Sequence, residues 1–276
     1  MTRRWFIPLT TIALAFGSLM AAGSASAAVT TTHPGVTHAR PGGTVHAFVP
    51  GGLMKRPAGA AAARAHGVRN QAQSTNWSGY AVTGSAGAFT SVSSSWTVPA
   101  ASCSGSSAQY AAFWVGLDGY NSSSVEQTGT DSDCNGSSPD YYGWYEMYPA
   151  YPVYFSNPVV PGDSITASVT FSGTQTYTLV LTDSTQGWTQ TITQDEAGLS
   201  RSSAEVITEA PSSSSGVLPL ADFGTVSYSA SGANGSSLGG QTPTSIVMIN
   251  GSGQDKDSTS AIDGSGGFSN IWLRST

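Results

Sequence analysis

From residue 76 onward, short runs of alternating Val, Ile, Leu, Tyr or Trp with Ser, Thr or Gln are separated by Gly, Ser, Asn and Pro. Alternation with a period of two predicts strands that bury one face. The runs fall at 76–82, 89–98, 109–117, 124–130, 141–147, 164–171, 176–182, 188–194, 203–208, 225–229, 244–249 and 268–273. Helical spacing is almost absent. Roughly two hundred residues of this kind predict one all-β sandwich or barrel, long enough to enclose a full core. No internal repeat is evident. The Ser-rich stretch 212–216 reads as a mobile loop, and the polar stretch 251–260 as solvated, with Lys256 in water.

The first seventy-odd residues have another character. Arg3 and Arg4 precede an apolar run from Trp5 to Leu19 and small residues up to Ala27, the layout of a cleavable export signal at 1–27. Paired arginines leave both the general and the twin-arginine export routes open. Residues 28–73 are rich in Ala, Gly, Pro and His and carry five basic side chains and no acidic one. They read as a basic pro-segment or linker before a domain at 74–276, and a basic pro-segment on an acidic domain would be its own inhibitor until acid neutralised the carboxylates. No later run is long and apolar enough to span a bilayer. The expected product is secreted, extracellular, free of the membrane and monomeric.

Charge sharpens this division. All sixteen acidic residues lie from Asp118 onward, and from Ser74 to the end only Arg201, Lys256 and Arg274 are basic. Taken as surface, such a balance repels nucleic acid and anionic lipid and removes both as expected partners. It also predicts little self-repulsion in strong acid, where the carboxylates are neutral. The two cysteines, Cys103 and Cys134, are an even pair in an exported chain and predict a disulfide, worth about 3 kcal/mol for a loop of this length.

All four histidines lie at or before His66. The later domain therefore has no Ser-His-Asp system, no Cys-His system and no histidine zinc site. Asp183, Asp257 and Asp263 head Asp-Ser-Thr or Asp-Gly-Ser triplets without the apolar flanks that would bury a shared-proton pair, and read as turn aspartates. Carboxyl chemistry aided by amides, tyrosines or backbone donors is what remains, and it suits acid conditions.

Four segments carry that chemistry. In Ser-Ala-Glu-Val-Ile-Thr-Glu at 203–209, Glu205, Ile207 and Glu209 share a face. In Phe-Trp-Val-Gly-Leu-Asp-Gly at 113–119, Trp114, Gly116 and Asp118 share one if the strand persists. In Val-Glu-Gln-Thr-Gly-Thr-Asp at 125–131, Gln127 and Asp131 lie opposite Glu126. In Trp-Tyr-Glu-Met-Tyr-Pro at 144–149, Trp144, Glu146 and Tyr148 go together. Singly, each pattern also fits a solvated strand face or a packed core.

Together with Asn76-Trp77-Ser78-Gly79-Tyr80 and Trp96-Thr97-Val98-Pro99, these segments resemble the glutamic peptidases, or eqolisins, in order and spacing over 75–273. The resemblance implies a sandwich of two large curved antiparallel sheets with a substrate groove on the concave face. It implies a catalytic pair, Gln127 of Gln-Thr-Gly and Glu209 of Ala-Glu-x-x-x-Glu, with Glu205 second in line for the glutamate. Trp114, Asp118, Asp131, Trp144, Glu146 and Tyr148 match residues that line or support that site. Glu126 and Val206 depart from the family's usual apolar and aromatic residues, on the face away from the pair.

The implied activity is hydrolysis of polypeptide substrates in acid, with Glu209 activating water and Gln127 stabilising the oxyanion, and no metal or organic cofactor is implied. The residues alone also fit a glycoside hydrolase using Glu146 and Glu209, with Trp and Tyr stacking on sugar rings, or a non-catalytic carbohydrate-binding module.

Overall fold

The computed structural model describes residues 71–120, 122–213 and 216–276. The export signal and nearly all of the expected pro-segment lie outside the described residues. In chain order the strands are β1 (Gln71–Ser74), β2 (Trp77–Thr83), β3 (Ser91–Thr97), β4 (Ala112–Leu117), β5 (Val125–Asn135), β6 (Ser138–Tyr148), β7 (Val153–Tyr154), β8 (Ser164–Phe171) and β9 (Thr176–Asp183). They continue as β10 (Trp188–Asp195), β11 (Ser203–Glu209), β12 (Ser212–Ser213), β13 (Gly216–Val217), β14 (Thr225–Ala233), β15 (Ser236–Ser237), β16 (Thr244–Met248), β17 (Asp257–Thr259) and β18 (Phe268–Trp272). One 3-10 turn, Leu238–Gly240, is the sole helical element among the described residues.

Two sheets form the expected β-sandwich. The first runs β1-β16-β2-β11-β4-β5-β6-β7 and the second β10-β9-β8-β3-β14-β18-β17, with β15 beside β14. Every pairing is antiparallel except β1 with β16. Alternation explains the layering: in β8, Ile165, Ala167 and Val169 point inward while Ser164, Thr166 and Thr170 are exposed. The inter-sheet core joins Phe113, Val115, Leu117 and Val206 of the first sheet to Trp96, Ile165, Leu179, Leu181 and Tyr228 of the second.

The first sheet is buried on its other face too. Every residue of β4 and β11 is buried, and Trp77, Ala81, Ala112, Trp114, Trp144, Ile207 and Ile246 form a second apolar cluster there. Antiparallel strands usually leave one face wet, whereas this sheet is buried on both. Two glycines permit the close approach of its strands. Gly79 has φ +128°, and a Cβ there would meet Val206 O at 2.2 Å. A Cβ on Gly129 would meet Phe113 O at 2.1 Å and Trp114 Cβ at 2.6 Å.

Several expectations need correction. Strand β1 begins at Gln71, within the stretch expected to be pro-segment. The β5–β6 hairpin extends well past residue 130 and begins before 141, because Asp131 and Asp133, poor strand formers alone, gain partners on β6. Ser212–Ser213 and Gly216–Val217 pair as a hairpin rather than leaving 212–216 a loop. Lys256 is buried, not solvated, and burial pulls its ammonium down to about 8. Asp257 is no turn aspartate: it sits in β17, fully buried, and accepts a hydrogen bond from Ser78 Oγ. Asp183 and Asp263 do cap turns, accepting the backbone N–H groups of 185–186 and of 265 and 267.

Candidate active site

Five strands, β2, β11, β4, β5 and β6, carry the site on the face of the first sheet turned away from the second. Their register sorts the side chains into three cross-strand rows. One row is Ala81, Glu205, Gly116, Gln127 and Glu146. The next is Gly79, Ile207, Trp114, Gly129 and Trp144, and the third is Trp77, Glu209, Ala112, Asp131 and Tyr142. Gln127 and Glu209 thus stand in the two outer rows, with tryptophans in the row between.

Glu209 is fully buried and surrounded by N–H donors. Asn76 Nδ2 donates to Oε1 at 3.1 Å and Trp114 Nε1 to Oε2 at 2.9 Å. Burial pushes the carboxyl up to about 7, against the pull of Trp114, Trp77 and Asn76. Hydrogen bonds to the ionised form favour it, so this carboxyl is desolvated yet equipped to carry charge. Glu205 shares the face but not the donors. Burial holds its carboxyl well above the usual range, opposed by Ser203 and by the backbone at Tyr120.

Gln127 Nε2 donates to Glu146 Oε2 at 2.5 Å, while Gln127 Oε1 is buried without a hydrogen bond. Burial, and then the charge of Glu209, push Glu146 well up despite that donor. Asp131 accepts Trp144 Nε1 at 2.6 Å and Tyr142 Oη at 3.1 Å. Tyr148 lies at the partly buried rim, opposite Val125.

Asp118 departs from its expected place. The strand ends at Leu117, Asp118 turns with φ +69°, and its carboxylate accepts Arg201 N at 2.5 Å and Ser202 N at 2.9 Å. It holds the entry to β11 instead of lining the face, a conformation that aspartate tolerates better than most residues. Sequence reasoning also left Asn76, Tyr142 and Asp133 outside the site. Asn76 precedes its strand, so no periodicity aims it at Glu209, although it opens the Asn-Trp-Ser-Gly-Tyr motif. Cys103 and Cys134 are joined, with Cα atoms 5.4 Å apart. Among the described residues no group of three or more His, Cys, Asp or Glu side chains is placed to hold a metal ion.

An all-β sandwich whose buried sheet face gathers carboxyls, a glutamine and tryptophans fits the class of hydrolases that work with carboxyl and amide side chains. Residues 75–269 match the model of the Peptidase A4 family, and the chain belongs to that family and is a glutamic endopeptidase. Aspergillopepsin-2 of Aspergillus niger is 29% identical over an alignment of 260 residues, with 84% of this chain and 89% of that protein covered. Scytalido-glutamic peptidase, solved with a peptide-based transition-state analogue, superposes with TM-score 0.61 at 28% identity over 72% of this chain and 98% of its own. Aspergilloglutamic peptidase from Aspergillus niger does so at 0.54, with 28% identity over 60% and 99%. Membership in a peptidase family displaces the glycoside hydrolase and sugar-binding readings.

Proposed function

We propose that this endopeptidase is secreted and works in acid, with Glu209 as base and then acid, and Gln127 as oxyanion donor. The observation that carries the reading is the setting of Glu209: a fully buried carboxyl supplied by Asn76 and Trp114 N–H donors. Ionised Glu209 takes a proton from water, the hydroxide adds to the scissile carbonyl carbon, and the oxyanion is met by Gln127 Nε2. That nitrogen has one hydrogen on Glu146 and a second to give, while Gln127 Oε1 can orient the water. Protonated Glu209 then gives its proton to the leaving amine as the C–N bond breaks. One oxyanion donor is worth about 2.7–4 kcal/mol of barrier, and a positioned base about 10²–10⁴ in rate.

The attacking water adds another hydrogen bond to the ionised carboxylate and so favours its charged form, the direction that extends activity into acid. The Cys103–Cys134 disulfide supports an extracellular setting. The basic stretch 28–70 is suited by charge to inhibit its own domain until the carboxyls are protonated, and the enzyme acts as a monomer on polypeptides.

Digestion of a denatured protein in acid, with a chelator present, tests the pair. Wild type should cleave, and folded Glu209→Gln and Gln127→Ala should each be inactive. A Glu209→Gln enzyme that still cleaves would transfer the role to Glu205.

A further inference from the structure

The chain enters the site face through a turn that the peptide chemistry above does not use. Strand β1 runs parallel to β16 at the edge of the sheet, where Ser74 stands opposite Met248 and its carbonyl accepts Ile249 N at 2.8 Å. Ser74 is buried, and so is Asn76, two residues on. The backbone of Asn76 is held on both sides: its N–H donates to Ser74 Oγ at 3.3 Å, and its carbonyl accepts the N–H of Ala210, the residue after Glu209, at 2.8 Å. What this leaves open is the side-chain amide, which has an oxygen end and a nitrogen end to turn towards Glu209.

The Ser74 hydroxyl decides between them. Its oxygen accepts two backbone N–H groups, from Asn76 at 3.3 Å and from Trp77 at 3.1 Å. These occupy both acceptor positions of a hydroxyl and leave its single hydrogen to give. Its further neighbour, 3.1 Å away, is one end of the Asn76 amide. A hydroxyl with only a hydrogen left meets the amide oxygen and not the NH2, so Oδ1 faces Ser74 and Nδ2 faces Glu209 Oε1, at 3.1 Å. The reverse orientation sets the amide oxygen against a carboxylate out of water, and the NH2 against a hydroxyl with no lone pair to spare.

We propose that Ser74 is a positioning residue: its hydroxyl fixes which end of the Asn76 amide meets Glu209 and thereby keeps an N–H donor on that carboxylate. The inference rests on Glu209 being the base. Burial raises the Glu209 carboxyl, and Asn76 is among the donors that oppose it. Donation to the ionised form favours that form, so losing the donor makes Glu209 harder to ionise. The titratable groups that face Glu209 are Glu205 on its own strand, Asp131 of β5, and Glu146 and Tyr142 of β6, while β2 and β4 present Trp77, Ala112 and Trp114. Changes at Ser74 and Asn76 leave all of these in place.

Ser74→Thr and Ser74→Val have the same shape, and only the first keeps the hydroxyl. A hydrogen bond to a charged group is worth about one pKa unit or more, so the acid limb of kcat/KM should move up by ~1 pH unit in Ser74→Val and in Asn76→Ala, and stay in place in Ser74→Thr. Below the limb this is a loss of ~tenfold in kcat/KM. Because Ser74 acts through Asn76, adding Ser74→Val to Asn76→Ala should move the limb no further. A role confined to holding the turn lowers stability or kcat in Ser74→Val and leaves the limb where it was. An unmoved limb in folded Ser74→Val, or additive shifts in the double variant, overturns the proposal.

Selective 15N labelling of asparagine reads the contact without activity. The Asn76 side-chain amide, assigned by its loss in Asn76→Ala, should shift as Glu209 titrates in wild type and in Ser74→Thr, with most of that shift lost in Ser74→Val and in Glu209→Gln. A wild-type signal that ignores pH, or a Ser74→Val signal that follows it as wild type does, overturns the proposal with no rate measured. Retained cleavage by Glu209→Gln would instead overturn the choice of base and leave the amide result standing.

Discussion

The two outward faces of the sandwich are built on the same lattice of antiparallel strands and carry opposite chemistry. On the first sheet, β11, β4, β5 and β6 present Glu205, Glu209, Trp114, Gln127, Asp131, Trp144 and Glu146, all buried. On the second, β3, β8, β9 and β10 present Ser93, Ser95, Ser168, Thr166, Thr170, Thr178, Thr182, Thr189 and Thr191, with Asp195 the carboxylate at the edge. Hydroxyls exchange water for one another at little cost, whereas a carboxyl removed from water is expensive unless it is protonated or hydrogen-bonded. Between these two faces, the costly groups lie on the one that carries the candidate site and the neutral ones lie in solvent. Ten of the sixteen carboxyl side chains are buried, so the acidity read from composition belongs mainly to the interior. The surface is less negative than the count implies, and burial raises the carboxyls of Glu126, Asp131, Glu146 and Glu205 among others, which adds to the low self-repulsion expected in acid.

The most damaging way to break the site face is through its backbone. Gly129→Ala drives a methyl into Phe113 O and Trp114 Cβ, contacts of 2.1 and 2.6 Å that only a shift of β4 against β5 can relieve. Overpacking costs roughly 1–3 kcal/mol where side chains can move, and more where backbone must. We expect about 3 kcal/mol or more by urea unfolding, and loss of peptidase activity as Trp114 draws away from Glu209. A loss below about 0.5 kcal/mol, the range of a neutral surface change, would show that the strands are not held this tightly.

A subtler change separates charge from shape. Glu126 lies on the inter-sheet side of β5, fully buried, and neither oxygen makes a hydrogen bond of ordinary geometry. Burial first, then Asp118, push it up to about 9, with Ser124 opposing. Between the unfolded value, near ~4.3, and about 9, the folded chain holds a proton there that the unfolded chain has lost. Its contribution to stability is thus full below the unfolded value and lost as pH rises through the folded one. Glu126→Gln should match wild type near pH 4 and exceed its Tm by roughly 5 °C or more at pH 8. Equal melting curves at both pH values would mean that Glu126 is ionised and solvated in the folded state. Both proteins should still weaken on approaching neutrality, because Asp133, Glu209 and Asp257 are each raised to about 7 by burial.

What could be read beforehand followed from local periodicity. Ser164-Ile165-Thr166-Ala167-Ser168-Val169 declares its inward and outward residues unaided, and Glu205, Ile207 and Glu209 do share a face. Long-range contacts were not legible. Asn76 reaches Glu209 across 133 positions, and Asp257 meets Ser78 through a strand too short to show alternation. Asp118 looked like the next residue of a strand until its positive φ turned it away. Glu205 and Glu209 are equivalent by periodicity; the motif resemblance ranks Glu209 first, and the donors around Glu209 add the physical distinction.

The smallest expected effect lies on the hydroxyl face and decides whether the contrast between the faces is functional. Ser95 and Thr166 are opposite one another on β3 and β8, exposed, with their oxygens 3.0 Å apart. Replacing both by Ala removes a hydrogen bond that water can supply from either side, and leaves no buried group unsatisfied. The double variant should stay within about 0.5 kcal/mol of wild type, with kcat/KM on a protein substrate unchanged. A stability loss above about 1 kcal/mol would mean that the hydroxyl lattice holds the second sheet together cooperatively. A change in kcat/KM without a change in stability would mean that this face takes part in handling substrate, and the division of labour between the two faces would fail.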